Sequence, residues 1–124
     1  MARISPDTPE LVDHGPVEVR TSELDGYTVD FLTVKAPVDM SFLLRGLPDD
    51  RCQCPHWGVL THGTMVVDYG DHQETVQTGD VFYMPPGHRP TYEVGTQLIQ
   101  FSPTSDQKAV NDAIMRNLAA LQGA

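Results

Sequence analysis

The chain reads as an all-β sandwich or barrel followed by one C-terminal helix, and three observations carry that reading. Strand-like segments recur roughly every 8 to 12 residues through the middle of the chain, the spacing of short strands in all-β folds. Ten Gly and ten Pro are scattered evenly through the 124 residues, which supplies many tight turns. Only the tail changes to a helical period. A chain of this length, 40% apolar, makes one domain and buries roughly two-thirds of its unfolded surface. A core of that size holds without disulfides or metal as staples, so a metal here is more readily functional than structural.

Taken in order, residues 1–15 are Pro-rich, acidic and aperiodic, and read as an arm that is flexible or lies across another surface, with His14 solvated. Residues 16–104 are expected to form the β-barrel. In the stretch from Gly26, alternation puts Tyr27, Val29, Phe31 and Thr33 on one face and Thr28, Asp30, Leu32 and Val34 on the other. Residues 38–45 alternate most cleanly, with Val38, Met40, Phe42 and Leu44 inward, and predict a half-buried strand. Residues 52–60 lead through Thr61-His62-Gly63 into a hairpin whose tip is residues 69–72 and whose return runs through residues 74–77. Gly79 opens another turn, residues 81–84 make a short strand stopped by Pro85-Pro86-Gly87, and residues 97–101 follow a Gly95 turn. Thr104 and Gln107 have the spacing of a capping box. Val110, Ile114, Leu118 and Leu121 then share one face of a helix over residues 105–122, expected to cover an open end of the sheet or to meet a second subunit.

Seventeen Asp and Glu against eight Lys and Arg give a net charge of −9, which repels a phosphate backbone and argues against nucleic acid as a partner. No stretch approaches the roughly 18 apolar residues of a membrane helix, and the first residues lack the layout of a signal peptide. Cytoplasmic localisation without membrane association is the expectation. Thiols stay reduced there, so Cys52 and Cys54 read as ligands, reactive thiols or packing rather than as a disulfide.

Two groups of residues can carry chemistry. Cys52, Cys54 and His56 recur at every second position, so on a continuous strand all three share a face. Thiolate and imidazole together suit zinc, iron or copper and suit magnesium or calcium poorly. The plain alternative is that both cysteines are small buried hydrophobes. The second group is residues 79–88, a turn, a short strand, a Pro-Pro-Gly turn and then His88.

At this second group the chain resembles the cupin superfamily. The family's second motif reads Gly, five residues, Pro, any residue, Gly, matched by Gly79, Pro85 and Gly87, and the hairpin glycine that ends its first motif is matched by Gly63. The resemblance covers roughly residues 38–102 and implies a cupin-like β-barrel, a double-stranded β-helix or jelly roll, pairing as a homodimer through its sheets. It departs from the metal-binding pattern. Counting back from Gly63, His56 stands where the family has Glu, the two first-motif histidines fall near Asp50 and Cys52, and the last motif His falls on Pro90.

The candidate ligand set is therefore Cys52, Cys54, His56 and His88, for a divalent transition metal, zinc or iron first and copper or nickel next. Without a metal, His56 and His88 can act as acid and base near neutral pH. Met40, Phe42, Tyr83 and Tyr92 are the expected pocket lining. Arg45 and Arg89, near the presumed mouth, either clamp a carboxylate or form surface ion pairs. The expected function is that of a metal-binding cupin acting on a small, anionic or oxygen-bearing metabolite, by oxygenation, isomerisation or hydrolysis. A non-enzymatic module that binds or senses a ligand or metal is the alternative. Four protein ligands would close the coordination shell and three would leave it open.

Overall fold

The computed structural model describes residues 3–7, 10–13 and 15–122; His14 lies outside them. Nine strands among these residues form two antiparallel sheets. The larger has the order β1(Glu10–Asp13), β2(Val17–Leu24), β3(Tyr27–Val34), β9(Gln97–Pro103), β4(His56–His62), β7(Val81–Met84). The smaller has the order β6(Gln73–Gln77), β5(Thr64–Asp68), β8(Arg89–Tyr92). Glu10–Asp13, within the stretch read as an arm, adds an edge strand on β2.

Inward-facing residues of both sheets meet in one core of Leu60, Met65, Val67, Val76, Phe82, Met84 and Leu98. The alternation in these strands is the cause, because each second residue loses contact with water. Two glycines are required by space or backbone. Gly58 faces inward on β4, where a Cβ would lie 2.3 Å from the Ile99 carbonyl oxygen and 2.6 Å from the Phe82 ring. Gly63, at φ +93°, turns β4 into β5 against Thr96.

Residues 38–45 are not a strand. Met40–Leu43 form a one-turn helix, α1, capped by the Asp39 side chain, which accepts from the Ser41 amide at 3.0 Å. Met40, Leu43 and Leu44 satisfy a spacing of three and four as well as Met40 and Leu44 satisfy a spacing of two, and the cap and the preceding Pro37 decide between them. The C-terminal helix, α2(Thr104–Gln122), buries Gln107, Val110 and Ala113, whereas Leu121 is 59% exposed. The expected capping box is not made: Thr104 bonds Thr28 and Gln107 bonds Asn111. Asn117 of α2 donates to the carbonyls of Leu43 and Arg45, at 2.8 and 3.1 Å, satisfying groups that the end of α1 leaves open. That pins the two helices together over a second apolar cluster containing Leu44, Cys52, Cys54 and Val110.

Candidate metal centre

Cys52 and His88 are brought together by the backbone itself. They form an isolated antiparallel bridge, with the Cys52 amide donating to the His88 carbonyl at 3.0 Å and the Gly87 amide donating to the Cys52 carbonyl at 2.9 Å. Gly87 sits at φ +95°, the left-handed conformation that lets the Pro-Pro-Gly turn deliver His88 inward. His56 arrives from the first inward position of β4. The Cys52 Sγ lies 3.5 Å from His56 Nε2, the two imidazole centres are 4.8 Å apart, and one donor atom from each of the three residues lies within 4.8 Å of the others. All three residues are buried.

The hydrogen bonds behind the rings hold their orientation, and for His88 the bond also sets the tautomer. A carbonyl only accepts, so the 2.7 Å contact from His88 Nδ1 to the Pro85 carbonyl places the ring proton on Nδ1. His88 Nε2 then holds a bare lone pair, is buried, and has no hydrogen-bond partner. His56 Nδ1 lies 2.6 Å from the Ser102 hydroxyl, which leaves Nε2 directed to Cys52. Burial lowers the pKa of His56 to about 3, helped by the neighbouring His88, and lowers that of His88 as well. Both rings are thereby held neutral at neutral pH, the form that binds a metal. Burial raises the Cys52 thiol to about 11, so a metal taken up there displaces a proton.

Cys54 is not part of this cluster. Residues 52–55 are not continuous strand, and Pro55 breaks the parity that would have put both cysteines on one face. The Cys54 thiol instead faces the Pro55 carbonyl at 3.5 Å and the Ser102 hydroxyl, and burial raises its pKa to about 12. Its place is behind His56, through Ser102. Ser102, fully buried, was not foreseen; its inward parity with Leu98 and Gln100 on β9 is the signal that points to it.

A cavity of about 350 Å³ opens beside the cluster, and Cys52, His56 and His88 form part of its wall. Val17 and Val19 of β2 and Leu32 of β3 line its sides, α1 contributes Met40 and Leu43, and α2 covers it with Gln107, Val110 and Ile114. Met40 and Tyr92 are in the lining; Phe42 and Tyr83 are not. The Phe42 ring carries the Arg45 guanidinium 5.2 Å from its centre, and Tyr83 is half exposed on the outer face, stacked on Trp57 at 5.1 Å. Phe42 departs from the expected lining because residues 40–43 are helix rather than strand, and Tyr83 because parity on β7 turns it outward. The arginines do not reach in either, since Arg89 pairs with Asp68 at 3.4 Å.

One inward row crosses the sheet next to the His56 row: Thr21, Asp30 and Gln100 lie side by side on β2, β3 and β9. Asp30 accepts from Thr21 and Gln100, while burial raises its pKa. Gln100 is the register partner of Gly58, two positions along β4 from His56, which sets this row beside the cluster.

The AraC-like ligand binding domain family matches residues 55–112, a span that includes His56 and His88 and leaves Cys52 outside. Among solved structures, an RmlC-like cupin from Shewanella frigidimarina NCIMB 400 is similar at 16% identity, with 81% of this chain and 88% of that one covered and a TM-score of 0.57. KdgF from Halomonas sp. is similar at 13% identity, 80% and 92% coverage and a TM-score of 0.54. The iron(II) form of HppE is similar at 13% identity and a TM-score of 0.55, over 80% of this chain and 58% of that one. No curated protein matches the chain.

Proposed function

We propose that this chain, a cupin by fold, is a metal-binding cupin that takes a small molecule into the cavity beside Cys52, His56 and His88. The observation that carries the reading is the bare, buried Nε2 of His88, directed into a cluster with one thiol and a second neutral imidazole. A buried nitrogen without a partner costs free energy, and a metal ion offsets it. The donor set suits zinc or ferrous iron, with copper or nickel next in order. Three protein ligands leave coordination open, and an ion there supplies Lewis-acid polarisation of a ligand oxygen. The protein's own part is to hold His88 in the ligating tautomer through Pro85 and His56 in place through Ser102, to exclude water beneath α2, and to lodge the ligand's apolar body. Whether the bound molecule is transformed or sensed is the second question, and the AraC-like family match over residues 55–112 favours a ligand-binding module as the alternative.

Metal analysis of the purified, tag-free protein, reconstituted anaerobically with zinc or iron, is expected to find about one ion per chain. Metal near zero after reconstitution would overturn the reading. Oxygen consumption and turnover with a bound ligand then separate enzyme from binding module. No helix among the described residues is long and apolar enough to cross a membrane. Both thiols are free, which fits a reducing compartment such as the cytoplasm.

The outer face of the larger sheet fits a second copy of the chain. Tyr27, Trp57, Tyr83 and Phe101 are each at least 43% exposed there and adjoin across β3, β9, β4 and β7. No outward position on these four strands is charged, in a chain whose net charge is −9. Four aromatic side chains present several hundred Å², of the order of the roughly 800 Å² that each partner of a stable interface buries. Sedimentation is expected to report a dimer, and Trp57→Glu to shift it to monomer at micromolar concentration; a monomeric parent protein would sink this part.

A further inference from the structure

The cavity is acidic and acceptor-rich as well as apolar, and this bears on what it admits. Among the described residues lining it, Asp30 is the one carboxylate and there is no Lys or Arg. Gln100 is 6% exposed and its orientation is set by chemistry: its Nε2 is the atom that donates to Asp30, so Oε1 is left over. That Oε1 is buried without a partner, and so is Oε1 of Gln107, which reaches the cavity from α2 and spends its Nε2 on Asn111 at 2.8 Å. The Thr21 hydroxyl proton is also taken, by Asp30. In the Asp30 row the Thr21 proton and a Gln100 amide hydrogen are thus directed to Asp30, and Gln100 Oε1 is left as a bare acceptor.

Two consequences follow from general chemistry. A buried carbonyl oxygen without a partner costs roughly 1 to 3 kcal/mol, which a donor on the ligand recovers and a second acceptor does not. An anion would have to enter a low-dielectric chamber beside a carboxylate with no cation to meet it.

We propose that the chamber selects a small apolar molecule carrying a hydroxyl or amino group and no acid, with that donor placed against Asp30 and Gln100. This rests on reading the cavity as the binding chamber, and of the anionic or oxygen-bearing metabolite expected from the sequence it favours the second. The ligand's donor end lies in the Thr21–Asp30–Gln100 row, one row along the sheet from His56, and its apolar body contacts Val19, Leu32 and Val110. A hydroxyl satisfies Gln100 Oε1 alone. A protonated amine satisfies it and also pairs with Asp30.

The test uses three probes with one chain length, 1-hexanol, n-hexylamine and hexanoate, titrated calorimetrically into the full-length protein. Each is run with zinc-loaded protein and again after chelation, because a carboxylate can also bind a metal. In the chelated protein hexanol or hexylamine is expected to bind at least tenfold tighter than hexanoate. Gln100→Leu is expected to weaken the preferred probe about tenfold while the metal content stays at the parent level. Asp30→Asn, close to isosteric, is expected to weaken hexylamine and spare hexanol, which tells an amine site from a hydroxyl site. Gln100→Met provides a second apolar variant of similar length, and the thermal melt of each confirms folding. Hexanoate binding as tightly as the donors after chelation, no binding of any probe, or folded Gln100 variants that bind like the parent would each overturn the proposal. Metal content is measured on the same samples. A donor preference in protein that never takes up metal sinks the metal reading alone, and full metal content with a preference for hexanoate sinks the donor reading alone.

Discussion

Cys52→Ala, His56→Ala and His88→Ala are each expected to lower bound metal from about one ion per chain to below roughly a tenth at micromolar metal, whereas Cys54→Ala retains it. The contrast between the two cysteines is the informative part. They differ by two positions, and both are buried, so a general packing defect would affect them alike. Only Cys52 presents its sulfur to His56 Nε2, at 3.5 Å. Ser102→Ala removes the partner that holds His56 Nδ1 at 2.6 Å and is expected to weaken affinity about 10- to 100-fold, the usual range for a group that orients a ligand. Equal loss in Cys52→Ala and Cys54→Ala would show that both thiols ligate. The pH dependence gives a second check. With the Cys52 thiol near 11 and the imidazoles already neutral, binding releases about one proton, and apparent affinity rises about tenfold per pH unit from roughly pH 7 to pH 10. A pH-independent affinity would place the thiol outside the metal's coordination.

The metal-free protein is expected to lose stability steeply on mild acidification. Histidine in the unfolded chain titrates near 6.5, while burial holds folded His56 near 3 and pushes folded His88 down in the same direction. Below pH 6.5 the unfolded state therefore binds more protons than the folded state. Stability falls with pH from there until the folded rings protonate, near 3 for His56. The slope is about 1.4 kcal/mol per pH unit for each histidine that stays neutral. Asp30 acts oppositely. Its folded pKa is raised above the ordinary carboxylate value of 3.8, so its contribution is present below that value and is lost as pH rises through the folded pKa. The histidine effect leads just below pH 6.5, where both folded rings lie under their unfolded value. Urea unfolding of chelated protein at pH 7.5, 6.0 and 4.5 reads the slope directly, and His56→Gln is expected to flatten it. Unfolding free energies that stay level over this interval would show that the rings are not buried as neutral bases. Zinc raises stability through binding to the folded state alone, and that gain is expected to shrink with acid as protons compete for Cys52.

Much of this protein is legible in its sequence, where local rules apply without competition. Alternation over residues 27–34 marks β3, and turn signals at Gly63, Gly79 and Gly95 bracket β5, β7 and β9. Gly63, Gly79 and Gly87 mark turns because each sits at positive φ, which side chains resist. Three of the four proposed metal ligands, Cys52, His56 and His88, fall together because soft donors at inward positions on neighbouring segments have one place to meet.

Tertiary structure decided the rest. In residues 38–45 helix and strand periods coincide over so short a run, and the Asp39 cap with the floor under α2 chose the helix. Parity assigns a face only within continuous strand, so the irregular backbone of residues 52–55 separated Cys54 from Cys52. Ser102, Asp30 and Gln100 are common polar residues with no local mark. They acquire their roles from strand pairing between residues about 70 positions apart in the chain. Pairing of that range is a property of the whole sheet, and no window of sequence contains it.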